Sequence, residues 1–386
     1  MKKKILSLIL VFLFLGCEGK KEKTVNIYMW GGSKEINLFM DNVVAPEIKI
    51  NTGIILNRVP LTDIRDTVNK LIIEKEAKRK NGTLDILWVN GENFKHLKEA
   101  NVLIPNMIKN LENISLVNPS TLEKDFGEPI LGMEAPWGEA QFNFIYNTLN
   151  SNNNTLPFYD SASLLEYVKN NPGKFTYPST TNFTGSAFVR NIAIDIIGLE
   201  NIEKMSTVEL KTALEPVWKY FRTLKPFLWR KGDTYPESEG KLDELYSNGE
   251  INISMGYTIS KVVSKIEAGQ YPQSSKSFLL KNGTLFNNHY LTIPANAKNK
   301  NEALIVINQL LSPKMQLLKQ DPKNWGDFTI LSLDMLSQTE KESFKNLSQN
   351  DKVVPLNELK SKRVRELSPE KTLIIEEGWY ENVGKR

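Results

Sequence analysis

Residues 25–33 read VNIYMWGGS. The run VNIYMW suits a strand buried in a sheet, Gly31-Gly32 turns the chain, and Ser33 is a good helix N-cap. Ile36, Phe39, Met40, Val43 and Val44 then recur at helical spacing. The unit is repeated at once. Residues 54–59 read as a second strand, and Thr62 or Asp63 caps a helix that turns Ile64, Val68, Leu71 and Ile72 inward. That helix ends in KRKNG, residues 78–82, a basic and turn-forming terminus. Residues 84–89 make a third strand, and Asn90-Gly91-Glu92-Asn93 leads into a helix from Phe94. Strand–helix–strand alternation of this kind implies a mostly parallel sheet covered by helices.

Further along, the pattern changes near Glu134. APWG (residues 135–138) precedes QFNFIY (141–146), an alternating strand. A second α/β series follows, with helices at 163–169, 185–197 (closed by Gly198) and 207–224, and strands at 174–177 and 251–257. A strand at 288–293, a long amphipathic helix at 301–319 and a helical stretch at 333–379 complete the chain. A length of 386 residues accommodates two domains. The expectation is an α/β fold of two lobes: residues 24–137 with 280–330 as lobe 1, 138–279 as lobe 2, and 331–386 as a C-terminal helical segment. Open α/β sheets bind ligands at the carboxyl ends of their strands, so two such lobes facing each other form a cleft that can close on a solute.

The N-terminus reads as an address. Lys2–Lys4 form a positive region, residues 5–15 an apolar run too short to span a bilayer permanently, and FLGC at 14–17 resembles a bacterial lipobox. Residues 1–16 are expected to be a signal peptide, Cys17 the lipidated first mature residue, and 17–23 a polar tether. Cys17 is the one cysteine, so the rest of the chain offers no thiol. Without residues 1–16, 46 basic residues face 45 acidic ones, and no basic field argues for nucleic acid. His96 and His289 are the only histidines, too few for a His-rich metal site. No G-x-S-x-G elbow, H-E-x-x-H or Walker A motif is present, which argues against an enzyme and against a cofactor. Glu92 with His289 is the one acid–base pairing a surface hydrolase or lyase could draw on.

Three strand–turn–helix junctions carry the binding candidates: Trp30, Gly31, Gly32 and Ser33; Asn90 and Glu92; and Thr184, Gly185 and Ser186. Glycine lets backbone N–H groups approach a ligand, and helix N-termini offer unpaired donors. Trp30, Trp137, Trp229, Tyr235 and Tyr257 could present aromatic faces to a flat ring or a cation. Glu92 and Glu239 could supply counter-charge, whereas Arg190 and Arg230 could grip an anion. The parts suit a ligand of either sign.

These residues sit in stretches that resemble a family. YMWGGS (28–33), DILWVNGENF (85–94), APWGEAQFNFIYN (135–147), FTGSAFVR (183–190), LWRKGDTYPES (228–238), GEINISMGY (249–257), NNHYLTIPANA (287–297), LLSPKMQ (310–316) and DPKNWGDFTIL (321–331) run in order across most of the chain. Together they resemble the extracellular solute-binding proteins of ABC transporters, and more narrowly a bacterial group described as thiamine-transport substrate-binding proteins. The resemblance implies a type II periplasmic-binding fold with hinge strands near 135–146 and 282–288. It implies a small-molecule ligand, permease subunits with a cytoplasmic ATPase as partners, and a monomer held at the membrane on the periplasmic or outer side. Its cleft residues map to Trp30, Gly31, Gly32, Asn90, Glu92, Trp137, Thr184, Gly185, Ser186, Trp229, Arg230 and Tyr257. Thiamine or a thiamine-like compound is the leading ligand and a polyamine the alternative. Ferric ion is disfavoured, because no Tyr-Tyr pair occurs.

Overall fold

The computed structural model describes residues 22–61, 63–89, 91–150 and 155–385. Cys17, Thr62 and Asn90 lie outside the described residues. Strand β1 (Lys23–Trp30) buries Val25, Ile27 and Met29 on one face. It pairs in parallel with β2 (Ile54–Leu61) and β3 (Ile86–Val89). The connections follow the helix signals. The Ser33 hydroxyl accepts from the Ile36 N–H and opens helix Lys34–Phe39. Asp63 accepts from the Arg65 N–H and opens helix Ile64–Glu76, which buries Val68 and Leu71. Helix Gly91–Glu99 follows β3 directly.

A short hairpin, β4 (Lys124–Asp125) with β5 (Glu128–Pro129), precedes β6 (Glu134–Gln141), every residue of which is buried. One residue later β7 (Asn143–Asn147) enters a second sheet, flanked on either side by antiparallel β8 (Ile253–Gly256) and β9 (Ser275–Phe278). The chain returns through β10 (Thr284–Thr292), antiparallel to both β6 and β3. Strand β11 (Arg363–Arg365) joins β10 in parallel. Residues 142 and 279–283 are therefore where the chain passes between the sheets. Phe142 N donates to Leu285 O at 2.8 Å, tying the two passages together.

Each sheet organises its own core. The larger sheet is covered on both faces: one apolar cluster holds Ile27, Phe39, Ile86, Trp137 and Trp325, and another holds Leu71, Leu87, Phe94 and Tyr290. The smaller sheet packs into an aromatic core with Phe144, Phe158, Phe188 and Phe278. Helix Phe183–Ile197, capped by the Asn182 side chain and stopped at Gly198, lies within that core.

The structure departs from the expected elements in five places, each with a physical reason. Residues 207–224 form two helices, Thr207–Ala213 and Glu215–Leu224, because Pro216 has no N–H to continue the ladder. Residues 301–319 split into Lys300–Leu310 and Pro313–Gln320, where Ser312 caps a fresh start before Pro313. Residues 174–177 are extended but bond singly to the backbone, through Asn252 N to Lys174 O and Trp229 N to Phe175 O. The smaller sheet's strand pairs are antiparallel, because β7 and β9 continue the two passages from the larger sheet. The C-terminal stretch, expected to be helical over 333–379, is interrupted by β11, whose backbone is taken up by the edge of β10, and it also has a clear path. Phe344 packs in the core of the larger sheet, but Val353, Leu359, Leu367, Ile375 and Trp379 pack in that of the smaller one. The chain thus crosses a third time, and helix Pro369–Trp379 ends on lobe 2. No helix among the described residues is long and apolar enough to cross a membrane.

Candidate functional site

A cleft of about 1280 Å³ lies between the lobes. Lobe 1 contributes the turn after β1, the start of helix Gly91–Glu99, Trp88, His289 and Trp325. Lobe 2 contributes Thr184, Glu239, Tyr257, Lys261 and their neighbours. Helix Pro369–Trp379 supplies a third wall through Thr372, Leu373, Glu376 and Glu377.

Of the residues singled out in the sequence, Trp30, Gly32, Ser33, Glu92, Thr184 and Tyr257 line this space. Trp30 is 46 % exposed and stands at the wall. Tyr257 is buried at the base, where its hydroxyl donates to Glu366 at 2.7 Å. Asn90 lies outside the described residues. Six others are placed elsewhere. Gly31 packs its α-carbon against Pro60, beside the cleft lining. Gly185 sits where a β-carbon would come within 2.1 Å of the Pro178 carbonyl oxygen, so its glycine is a close-packing requirement. Ser186 is buried behind the wall and donates to Glu376, which does face the cleft. Trp229 and Arg230 pair with each other away from the cleft: the guanidinium lies 4.2 Å from the ring centroid, and Trp229 Nε1 donates to Glu250. Trp137 is 1 % exposed. It sits in lobe 1's core because β6 is covered on both faces, and it packs edge-on to Trp88 at 5.3 Å.

Gly138, next to Trp137, explains part of the APWG motif. A β-carbon there would fall 2.2 Å from Asp327 Oδ2 and 2.8 Å from Lys319 Nζ. The missing side chain leaves room for a buried ion pair, Lys319–Asp327 at 2.6 Å. Burial lowers the pKa of Lys319, and Asp327 works against that shift.

The electrostatics of the cleft come from which charges are already spoken for. Arg190 pairs with Glu366, both almost fully buried. Lys261 is held by Glu239 at 2.8 Å and Asp243 at 2.6 Å. Lys265 reaches Glu35 across the lobes at 2.7 Å, and Arg65 pairs with Asp63 at 2.6 Å. Burial acts to raise the Glu35 pKa, but the Lys265 hydrogen bond and charge outweigh it and hold it down. Glu92, Glu376 and Glu377 line the cleft with no lysine or arginine partner among the described residues; Glu92 has only His96, at 3.9 Å. Lys34 is the one lining cation without a carboxylate partner among the described residues. Burial pushes the Glu376 carboxyl up, and the Glu92 charge pushes it the same way. The Ser186 hydroxyl and the Arg190 and Arg65 charges pull it down without reversing the shift.

Trp88, Trp325 and the whole C-terminal wall were not among the binding residues expected from the sequence, and His289 was named there only as an acid–base partner. DILWVNGENF carries Trp88 on the strand side of its junction, where the turn residues Asn90 and Glu92 drew the attention, and Trp325 in DPKNWGDFTIL lies at no strand–turn–helix junction. Glu92 and His289 do not meet as an acid–base pair: His289 Nε2 lies 3.3 Å from Asp327 instead.

Two lobes, three crossings and a cleft between them are the build of a binding protein. The chain belongs to the bacterial extracellular solute-binding protein family, whose model matches residues 45–329. The family is one of binding proteins and not of enzymes. Among particular relatives, Protein YnjB of Escherichia coli (strain K12) is 38 % identical over 337 residues, covering 86 % of this chain and 85 % of its own. Among solved structures, the spermidine/putrescine ABC transporter substrate-binding protein PotD of Streptococcus pneumoniae matches with a TM-score of 0.64 at 14 % identity, covering 93 % of this chain and 98 % of its own. The ferric binding protein of Campylobacter jejuni matches at 0.60 and 16 %, covering 93 % and 97 %. At such identities these two establish the shared two-lobed periplasmic-binding fold and nothing finer.

Proposed function

We propose that this chain is the substrate-binding component of an ABC importer and captures a small organic cation, with thiamine or a thiamine-like compound as the leading ligand. The observation that carries the charge assignment is the pairing pattern in the cleft. Arg190, Lys261, Lys265 and Arg65 are each neutralised by a protein carboxylate, whereas Glu92, Glu376 and Glu377 are left without a basic partner. Among the described lining residues an anion would find Lys34 as the one unoccupied cation and would otherwise compete for a paired one, but an incoming cation would meet three free carboxylates. Family membership and the two-lobed fold support delivery to a permease pair driven by a cytoplasmic ATPase. The FLGC sequence supports an anchor through lipid on Cys17, facing the periplasm or the exterior. The protein works as a monomer in this reading. Closure follows from contacts with both lobes, since a ligand shifts the equilibrium only by binding one state better.

A polyamine is the second reading, favoured by the same unpaired carboxylates. Calorimetric titration with thiamine, its phosphates, spermidine, glutamate and small sugars tests both. Saturable binding of thiamine or spermidine is expected. Binding of glutamate or a sugar, with neither cation bound, overturns the charge assignment.

A further inference from the structure

Trp88, His289 and Trp325 line the lobe 1 side of the cleft together. His289 stacks on Trp325, with centroids 5.6 Å apart and planes 23° apart. Trp88 stands edge-on to His289 at 4.9 Å and 70°. These are favourable aromatic geometries, so the three rings support one another. A buried relay also holds them: His289 Nε2 lies 3.3 Å from Asp327 Oδ1, and Asp327 Oδ2 accepts from Lys319 Nζ at 2.6 Å. Asp327 and Lys319 are both almost wholly enclosed, so this support cannot drift as a surface pair would. The result is a rigid aromatic floor under a cleft in which the unpaired carboxylates Glu92, Glu376 and Glu377 outnumber the one unpaired lysine, Lys34, among the described residues.

Resting on the reading of the cleft as a cation site, we propose that this floor is a ring subsite. The solute is a flat heteroaromatic cation: its ring lies against Trp88 and His289, which Trp325, 2 % exposed, backs from beneath, while its charge faces Glu92 and Glu376. The geometry separates two kinds of cation. A linear polyamine can set an ammonium against a ring face but has no ring of its own to stack, so it gains less from the preformed floor. A planar ring gains both area and stacking there, which is about tenfold in affinity for a well-placed aromatic contact.

The histidines provide the test. His96 and His289 are the only two, and His96 stands half exposed on helix Gly91–Glu99. The two imidazole Cε1 protons can therefore be followed by NMR in the unmodified protein during titration with thiamine and, separately, with spermidine. Thiamine should bind saturably and move the His289 proton upfield by ring current, with a much smaller shift at His96. His289→Gln keeps a donor for Asp327 but loses the ring, and should weaken thiamine about tenfold. Thiamine binding that leaves His289 unmoved overturns the ring subsite while the cation site stands. So does binding of spermidine without thiamine. Failure of both cations to bind overturns the subsite and the cation reading together.

Discussion

The two sides of the cleft are built from different physics. On lobe 1 the lining is a packed aromatic surface, Trp88 with Trp325 and His289, backed by Trp137 and Phe39 at ring-to-ring distances of 5.3–6.0 Å. On lobe 2 it is a network of buried charge. Arg190 and Tyr257 interlock at the base with Glu366 and with Asn287 of β10 in the larger sheet, while Lys261, Glu239 and Asp243 interlock above. Aromatic packing gains stability by burying area and tolerates shape-conserving change. A buried ionic network sits near break-even while whole and becomes costly when one member is lost, because the survivor keeps its desolvation penalty. Lobe 1 is therefore expected to fail by cavity formation and lobe 2 by orphaned charge.

The largest effects come from attacking each side by its own mechanism. Trp137→Ala should cost about 3–5 kcal/mol of stability, as large aromatic deletions in a packed core do. Because Trp137 backs the floor without lining the cleft, denaturant unfolding should register the loss. Trp137→Phe should leave solute affinity within about twofold. On lobe 2, Glu366→Gln should cost about 3–5 kcal/mol by stranding Arg190, which is 1 % exposed. The double variant Arg190→Met with Glu366→Leu should recover much of that loss. If the double variant is no more stable than the single, the contrast between the two sides fails.

Lobe 1 buries charge too, in the Lys319–Asp327 pair and at Glu134, and the unpaired Glu134 sharpens the comparison. Glu134 on β6 is fully buried, with no hydrogen-bond partner for either oxygen among the described residues. Burial pushes its pKa well up, and the nearby Asp125 carboxyl pushes it further. Asp125 is itself raised by burial, against the pull of its bond from the Gly91 N–H. A carboxyl whose folded pKa lies above its unfolded value binds its proton more tightly when folded. Stability from this site is therefore greatest below the unfolded carboxylate range of about 4.3 and is lost as pH rises through the folded pKa. Glu134→Gln removes that titration. Its stability relative to the parent should improve as pH rises, by about 1.4 kcal/mol for each unit that separates the two pKa values. Parallel pH–stability curves for parent and variant would remove Glu134 as the source.

Smaller effects belong to the carboxylates that face the open space. Glu92→Gln and Glu376→Gln should each weaken a bound cation by about 1–2 kcal/mol while leaving the unfolding midpoint nearly unchanged. Glu92→Gln should also lower the Glu376 pKa, which carboxyl NMR can follow, because the Glu92 charge is one of the causes that raise it.

How much of this could be read from the residues depended on whether the signal was local. β1, β2, β3 and their helices were legible because alternation, caps and turns are written in consecutive residues, as at Ser33 and Asp63. The breaks at Pro216 and Pro313 were written there too, but were passed over in favour of a longer apolar periodicity. The site was harder. Trp30 and Glu92 lie beside turns and were found. Trp88, His289 and Trp325 come from three distant segments, and only the pairing of β10 with β3 and the loop after helix Pro313–Gln320 bring them together. Nothing in one sequence distinguishes Trp137, buried, from Trp88, half-buried, since both flank β-rich apolar runs. The C-terminal wall was illegible for the same reason: an amphipathic helix shows that it buries a face but not against which lobe.

The smallest expected effect tests whether the two sides communicate without a solute. Two ion pairs cross the cleft, Lys265–Glu35 and Lys95–Glu370. The second joins helix Gly91–Glu99 on lobe 1 to helix Pro369–Trp379 on lobe 2, and the hydrogen bond to Glu370, with its charge, raises the Lys95 pKa. Glu370 is about half exposed, so the pair is worth no more than an ordinary surface bridge, about 0.2–1 kcal/mol. That is still up to fivefold in a balance between open and closed lobes, because the pair exists only when they are near. Small-angle scattering on Glu370→Gln without solute should show a larger radius of gyration than the parent at low salt. The two should converge as ionic strength rises and the Debye length falls below about 8 Å. A radius unchanged at every salt concentration would mean that packing around the crossings alone sets the lobe angle. The aromatic and ionic sides would then meet only through what they bind.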